Sequence, residues 1–157
     1  MPSWLKCVAC VVVWKQDTKG IEVLLGKRQE EAVEGGKWAL LGGTRGIDRA
    51  TDPYGFARIE AEYDVDGITC ARGELKFFDH RVRIEEDALI LKIYFLCEAR
   101  VEACISTRGD GDRPTEVAWF TLSEVRRLLG AKEFAFKDPD ADVIEQFFAA
   151  QSGRVAS

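Results

Sequence analysis

Hydrophobic and polar positions divide this chain into a run of strands interrupted by one helix and closed by two more. Trp4 to Trp14 (WLKCVACVVVW) is rich in Val and Cys and reads as a long strand. Asp17-Thr18-Lys19-Gly20 has turn chemistry, and Ile21 to Arg28 (IEVLLGKR) reads as the returning strand of a hairpin. Gln29 to Lys37 is charged and contains glycine, hence a loop. Trp38 to Leu41 is a short strand leading into Gly42-Gly43, and Thr44 to Asp52 is a second loop. From Pro53 the spacing predicts a helix to about Val65, with Asp52 as N-cap and Asp66-Gly67 as the stop. On that helix Phe56, Ile59 and Tyr63 form one apolar stripe and Ala57, Ala61 and Val65 a second.

After the helix, Glu74 to Val82 reads as a strand and Ile84 to Asp87 as a polar turn. Ala88 to Cys104 (ALILKIYFLCEARVEAC) is long and β-prone, enough for one bent strand or two. Ser106 to Pro114 is expected to be a flexible, exposed loop, and Glu116 to Phe120 a short strand. Thr121 or Ser123 can cap the next helix. A last amphipathic helix spans Asp140 to Ala150, with Val143, Ile144, Phe147 and Phe148 on one face, and Gln151 to Ser157 is expected to fray. This order predicts an α+β fold with a mixed sheet. At 157 residues the expectation is a single domain over 1–157.

Composition narrows the partners. A net charge of −5 gives no overall attraction to nucleic acid or anionic membrane. No apolar run is long enough to span a bilayer, and the N-terminus lacks the pattern of an export signal. The five cysteines are an odd number, and Cys7 and Cys10 would face opposite ways on a strand. Reduced thiols and a cytoplasmic location are therefore expected, without zinc.

The candidate chemistry sits in Trp38 to Ile68. A double glycine allows close approach of the backbone, and the helix that follows carries Glu60, Glu62, Asp64 and Asp66. Glu60 and Asp64 are four apart and share a face, so they can offer carboxylate oxygens to one hard cation. An acidic helix edge with no ligand is the competing reading. Arg58 and Glu62, also four apart, read as a solvent-exposed ion pair. Arg28 and Arg45 can contact phosphate oxygens. The lone His80 has the chemistry of a general base but reads as packed or hydrogen-bonded structure, and Glu85 and Glu86 read as a solvated turn.

These pieces resemble the Nudix hydrolase superfamily. VLLGKR is similar to its second strand with the closing basic residue, and GGKWALLGG to its W-x-x-P-G-G, with Leu41 in place of proline. EVAWFTLSEVRRLL is similar to its late Glu-x-x-Trp strand and helix. The box, G-x5-E-x7-R-E-U-x-E-E-x-G-U with U aliphatic, is divergent and incomplete. Starting at Gly43 without gaps, only Ile59 and Glu62 match within R-E-U-x-E-E, and Arg49 takes the place of the first acid. One extra loop residue aligns Arg58 and Glu62, whereas two extra align Glu60 and Asp64 and lose the arginine.

The resemblance implies a Nudix-like α/β/α sandwich with a curved mixed sheet. It implies a metal-dependent hydrolase that cuts the pyrophosphate of a nucleoside diphosphate linked to another group, using Mg²⁺ or Mn²⁺. Glu60, Asp64 and Glu116 would be catalytic, and the same three with Gly43 would hold the metal. Arg28, Arg45, Gly42 and Gly43 would meet a nucleotide-type small molecule. The alternative is an inactive Nudix-like domain that binds a nucleotide or a protein. A homodimer is left open. One expectation is independent of the family: thiol titration of unfolded, unreduced protein should find all five cysteines reactive.

Overall fold

The structure is a computed structural model that describes residues 4–46, 53–69, 74–100 and 103–156. The expected N-cap Asp52, and Arg49 and Cys70, lie outside the described residues, as do the side chains of Arg45 and Phe56. The strands are β1 (Leu5–Asp17), β2 (Gly20–Lys27), β3 (Trp38–Ala39), β4 (Leu41–Gly46), β5 (Leu75–Glu85), β6 (Ala88–Glu98) and β7 (Glu116–Phe120). The helices are α1 (Pro53–Asp64), α2 (Leu122–Gly130) and α3 (Lys137–Ala156). The strands form one sheet in the order β3-β2-β1-β6-β5, with β4 paired to β1 and β7 to β2. β1 and β6 run parallel and the other pairs antiparallel, so the sheet is mixed as expected.

β1 organises the packing because both its faces are covered. Alternate residues of a strand point to opposite faces. Ala9, Val11 and Val13 join Ala57 and Ala61 of α1, and Val65 just beyond it, in one apolar cluster. Cys10 and Val12 join Tyr94, Val125 of α2, and Ile144 and Phe147 of α3 in a second. The sheet is thus sandwiched between α1 and the α2–α3 pair. Thr121 caps α2: its hydroxyl accepts from the Glu124 amide at 3.3 Å while the Glu124 carboxylate accepts from the Thr121 amide at 3.0 Å.

Several local expectations are corrected. Gly42 and Gly43 are not the end of a strand but lie inside β4, in register with Cys10 and Ala9. β5 runs through Ile84 to Glu85, leaving Glu86 and Asp87 as the turn. β6 ends at Glu98, short of Cys104. The last helix is longer than its apolar face suggested: α3 runs from Lys137 to Ala156, and Gln151 is buried rather than frayed. The stripe of Ala57, Ala61 and Val65 is core, whereas Ile59 and Tyr63 are 56% and 41% exposed.

Phe147 is fully buried, with ring contacts to Trp14, Phe78 and Phe148 at centroid separations of 5.6, 6.3 and 5.5 Å. Phe147→Ala is expected to lower unfolding free energy by about 3–5 kcal/mol, read from urea unfolding.

Candidate active site

The close approach of α1 to β4 makes the site. A side chain at Gly43 would put its Cβ 2.2 Å from Glu60 Oε2, so the Glu60 carboxylate occupies the space that the glycine leaves. One turn on, Asp64 Oδ2 accepts from the Gly42 amide at 3.4 Å. The two carboxylates therefore lie against the double glycine, as their shared helix face requires. Burial pushes the Asp64 carboxyl up to about 7; the Gly42 amide opposes this, and negative Glu60 and Asp112 add to it. Arg58 and Glu62 instead form an outward ion pair at 3.4 Å.

Both carboxylates line a cleft of about 1250 Å³, together with Gly42, Gly43, Ile59 and Tyr63. Arg28 also lines it. Its Nε donates to the Val33 carbonyl at 2.8 Å, and its guanidinium lies 4.8 Å from the centre of the Phe136 ring. Burial lowers the Arg28 pKa, and the charges of Glu34 and Asp64 act against that. Glu116 does not join the group. It is exposed on β7 opposite Lys27 and is not among the residues lining the cleft. Among the described residues no three Asp, Glu, His or Cys side chains gather in metal-binding geometry. The backbone of Arg45 pairs with Cys7 on β1.

Two parts of the cleft were not anticipated. Lys92 and Asp140, both buried, are 2.7 Å apart, and the Tyr94 hydroxyl donates to the same Asp140 oxygen. The Lys92 ammonium also lies 5.3 Å from the Phe136 ring, so that ring carries a cation from each of Arg28 and Lys92. The signal was a lysine inside the apolar run ALILKIYFLC. The other part is the segment expected to be a flexible loop, Ser106 to Pro114, which is tied to the end of α1. Arg113 Nε donates to the Tyr63 carbonyl at 2.9 Å, and Thr107 Oγ1, whose hydroxyl donates to the Pro114 carbonyl at 2.8 Å, lies 3.3 Å from the Asp64 carbonyl. Tyr63 donates to Asp112 at 2.8 Å, and the Gln29 amide donates to the Gly109 and Arg113 carbonyls.

With this geometry in view, solved structures of low sequence identity give the fold a name. The NUDIX domain of Shewanella oneidensis NrtR, solved with ADP ribose, superposes with a TM-score of 0.75 at 14% identity over 96% of this chain and 90% of that one. The MutT protein of Methanosarcina mazei Go1 gives 0.65 at 18% identity, over 94% and 95%. A MutT/nudix family protein of Enterococcus faecalis gives 0.59 at 19% identity, over 76% of this chain but 44% of that one. No family model and no curated protein sequence matches the chain. The fold is that of the Nudix superfamily. No helix among the described residues is long and apolar enough to cross a membrane.

The two glycines separate stability from site geometry. A Cβ at Gly42 would meet the Ala9 carbonyl oxygen at 2.2 Å, which is backbone, whereas one at Gly43 meets only the end of the Glu60 side chain. Gly42→Ala should lower the melting temperature markedly, through a loss of about 1–3 kcal/mol. Gly43→Ala should stay close to wild type in thermal unfolding but weaken Mn²⁺ binding in calorimetry.

Proposed function

We propose that this chain is a hydrolase of the Nudix type, dependent on Mg²⁺ or Mn²⁺, that cleaves the pyrophosphate of a nucleoside diphosphate linked to another group. The observation that carries the proposal is the pairing of Glu60 and Asp64 against Gly42 and Gly43 in a cleft that also holds Arg28. The donor set fits a hard cation: Mg²⁺ commonly takes only one or two carboxylates, completing its shell with water and substrate phosphate oxygens. Glu60 and Asp64 would hold it, and it would neutralise phosphate charge and activate or orient the attacking water. Burial makes a lone negative charge on Asp64 unfavourable, so that position suits a site completed by a cation.

Arg28 supports the substrate side of the reading. Its Nε is committed to Val33, which holds the guanidinium plane in the cleft and leaves the terminal nitrogens to face phosphate oxygens. The ADP ribose bound by the NrtR domain belongs to the same chemical class, a nucleoside diphosphate joined to a second group. Arg45 remains a second candidate for phosphate. Glu116 is left out of the metal set because it lies outside the cleft lining.

A second reading, a domain that binds a nucleotide without hydrolysing it, is favoured by the same observation: two carboxylates are gathered where the notional set has three. The kinetics of two variants test the choice. With Mg²⁺ or Mn²⁺ and a panel of nucleoside diphosphate derivatives, Glu60→Gln should reduce kcat/KM by on the order of 10²–10³, as loss of one electrostatic element commonly does. Glu62→Gln, which weakens the outward pair with Arg58, should leave the rate within about twofold. Equal losses would reject the assignment of Glu60. No turnover by folded wild-type protein that still binds a nucleotide would favour the binding module.

A further inference from the structure

The sheet ends at β5, and among the described residues no strand pairs with its outer edge. β5 is 11 residues long and shows large apolar side chains to solvent: Phe77 is 51% exposed, Val82 58% and Ile84 83%. Val82 and Ile84, two apart, share one face of the strand, while Arg81, Arg83 and Glu85 share the other. A long, apolar edge is a template for strand pairing, and charged residues are a common guard against it. Here Arg81 and Glu85 lie two positions either side of Arg83, so a reversed copy of the strand sets each of them opposite a charge of the other sign.

We propose that β5 is a homodimer interface, in which two copies of the chain pair edge to edge and antiparallel about a two-fold axis through Arg83. In such a pair, directly opposed residues point to the same face. Val82 then meets Ile84 of the second copy, and Ile84 meets Val82. On the same face His80 comes opposite Glu86 of the second copy; on the other face Arg81, which also holds Asp79 and Asp142, meets Glu85 of the second copy and the reverse. Arg83 faces its own copy at the axis, and each Arg83 already has the carboxylate of Glu85 beside it to offset the like charge. Two apolar and two opposite-charge cross-strand pairs form at once, each of a type that stabilises sheets. The contact is isologous and closes, giving a dimer and not a filament. Arg83 and Glu85 also line the cleft, so the second copy borders it.

Sedimentation velocity across a concentration series, with far-UV circular dichroism to confirm folding, tests the proposal on the whole chain. Wild type should be a dimer at high concentration. Val82→Glu and Ile84→Glu should each raise the dimer dissociation constant by more than about tenfold, because each change acts twice across the axis. Ile84→Ser, at a position already 83% exposed, provides a milder variant that should also weaken the dimer while staying folded. Glu85→Arg should weaken it by placing like charges opposite, and adding Arg81→Glu should restore it, since the swapped pair is again complementary. A monomer at every concentration, or a dimer indifferent to Val82→Glu and Ile84→Glu, overturns the interface. Failure of the charge swap to restore a dimer that Glu85→Arg has weakened overturns the axis through Arg83.

Discussion

The structure depends on the contact between β4 and α1 that two missing side chains permit. β4 needs Gly42 because a Cβ there would enter the Ala9 carbonyl of the paired strand, and α1 needs Gly43 because the Glu60 carboxylate fills that side. The same approach lets Ala57 and Ala61, small and fully buried, seat the helix on β1. Small residues on the helix and none on the strand bring carboxylates close to backbone. A side chain at Gly42 would push β4 from β1, whereas one at Gly43 would displace the Glu60 carboxylate.

Charge in the cleft is handled in two ways. Lys92 and Asp140 are buried as a pair at 2.7 Å with Tyr94 as an added donor, so each charge has its partner. Desolvation offsets most of the attraction in a pair of this kind, but removing one partner would leave the other charge buried and unpaired. At Asp64 burial and the nearby acids push the carboxyl up, against the Gly42 amide and the charge of Arg113. Phe136 lies between the two regimes, with Arg28 and Lys92 each against its ring. The cleft thus joins a buried, paired Lys92–Asp140 wall to the two carboxylates of α1.

Local patterning made much of the fold legible. β7 is Glu116 to Phe120 as expected, α1 begins at Pro53, and Thr121 caps α2, because alternation, proline and capping chemistry act over a few residues. What was missed depends on distant chain. β4 continues through two glycines because β1 supplies the pairing that glycine's own propensity does not favour. Ile59 and Tyr63 read as one of two apolar stripes, and it is this one that lines the cleft, since the helical wheel fixes which residues share a face but not what covers it. The Glu60–Asp64 register was legible from spacing, whereas Lys92 and Asp140 are 48 positions apart and meet only through the packing of α3 on β6. Glu116 sat at family-like spacing, but spacing along β7 says nothing about the distance to α1.

The tether from Ser106 to Pro114 explains how an acid at a helix terminus is held still. The last carbonyls of a helix have no partner within it. α1 ends at Asp64, where the Tyr63 carbonyl accepts from Arg113 Nε and Thr107 Oγ1, bonded to the Pro114 carbonyl, lies 3.3 Å from the Asp64 carbonyl. Arg113 also lies 3.9 Å from the centre of the Tyr63 ring, and the Tyr63 hydroxyl reaches back to Asp112. The tether is anchored in turn to the end of β2, where the Thr115 amide donates to the Lys27 carbonyl and Gln29 binds two loop carbonyls. Fraying of the final turn would swing Asp64 away from Gly42 while leaving Glu60 in place, since Glu60 lies a full turn deeper. The composition of the loop, rich in Gly, Asp and Arg, suggested freedom; its hydrogen bonds make it the support that keeps the two carboxylates at one spacing.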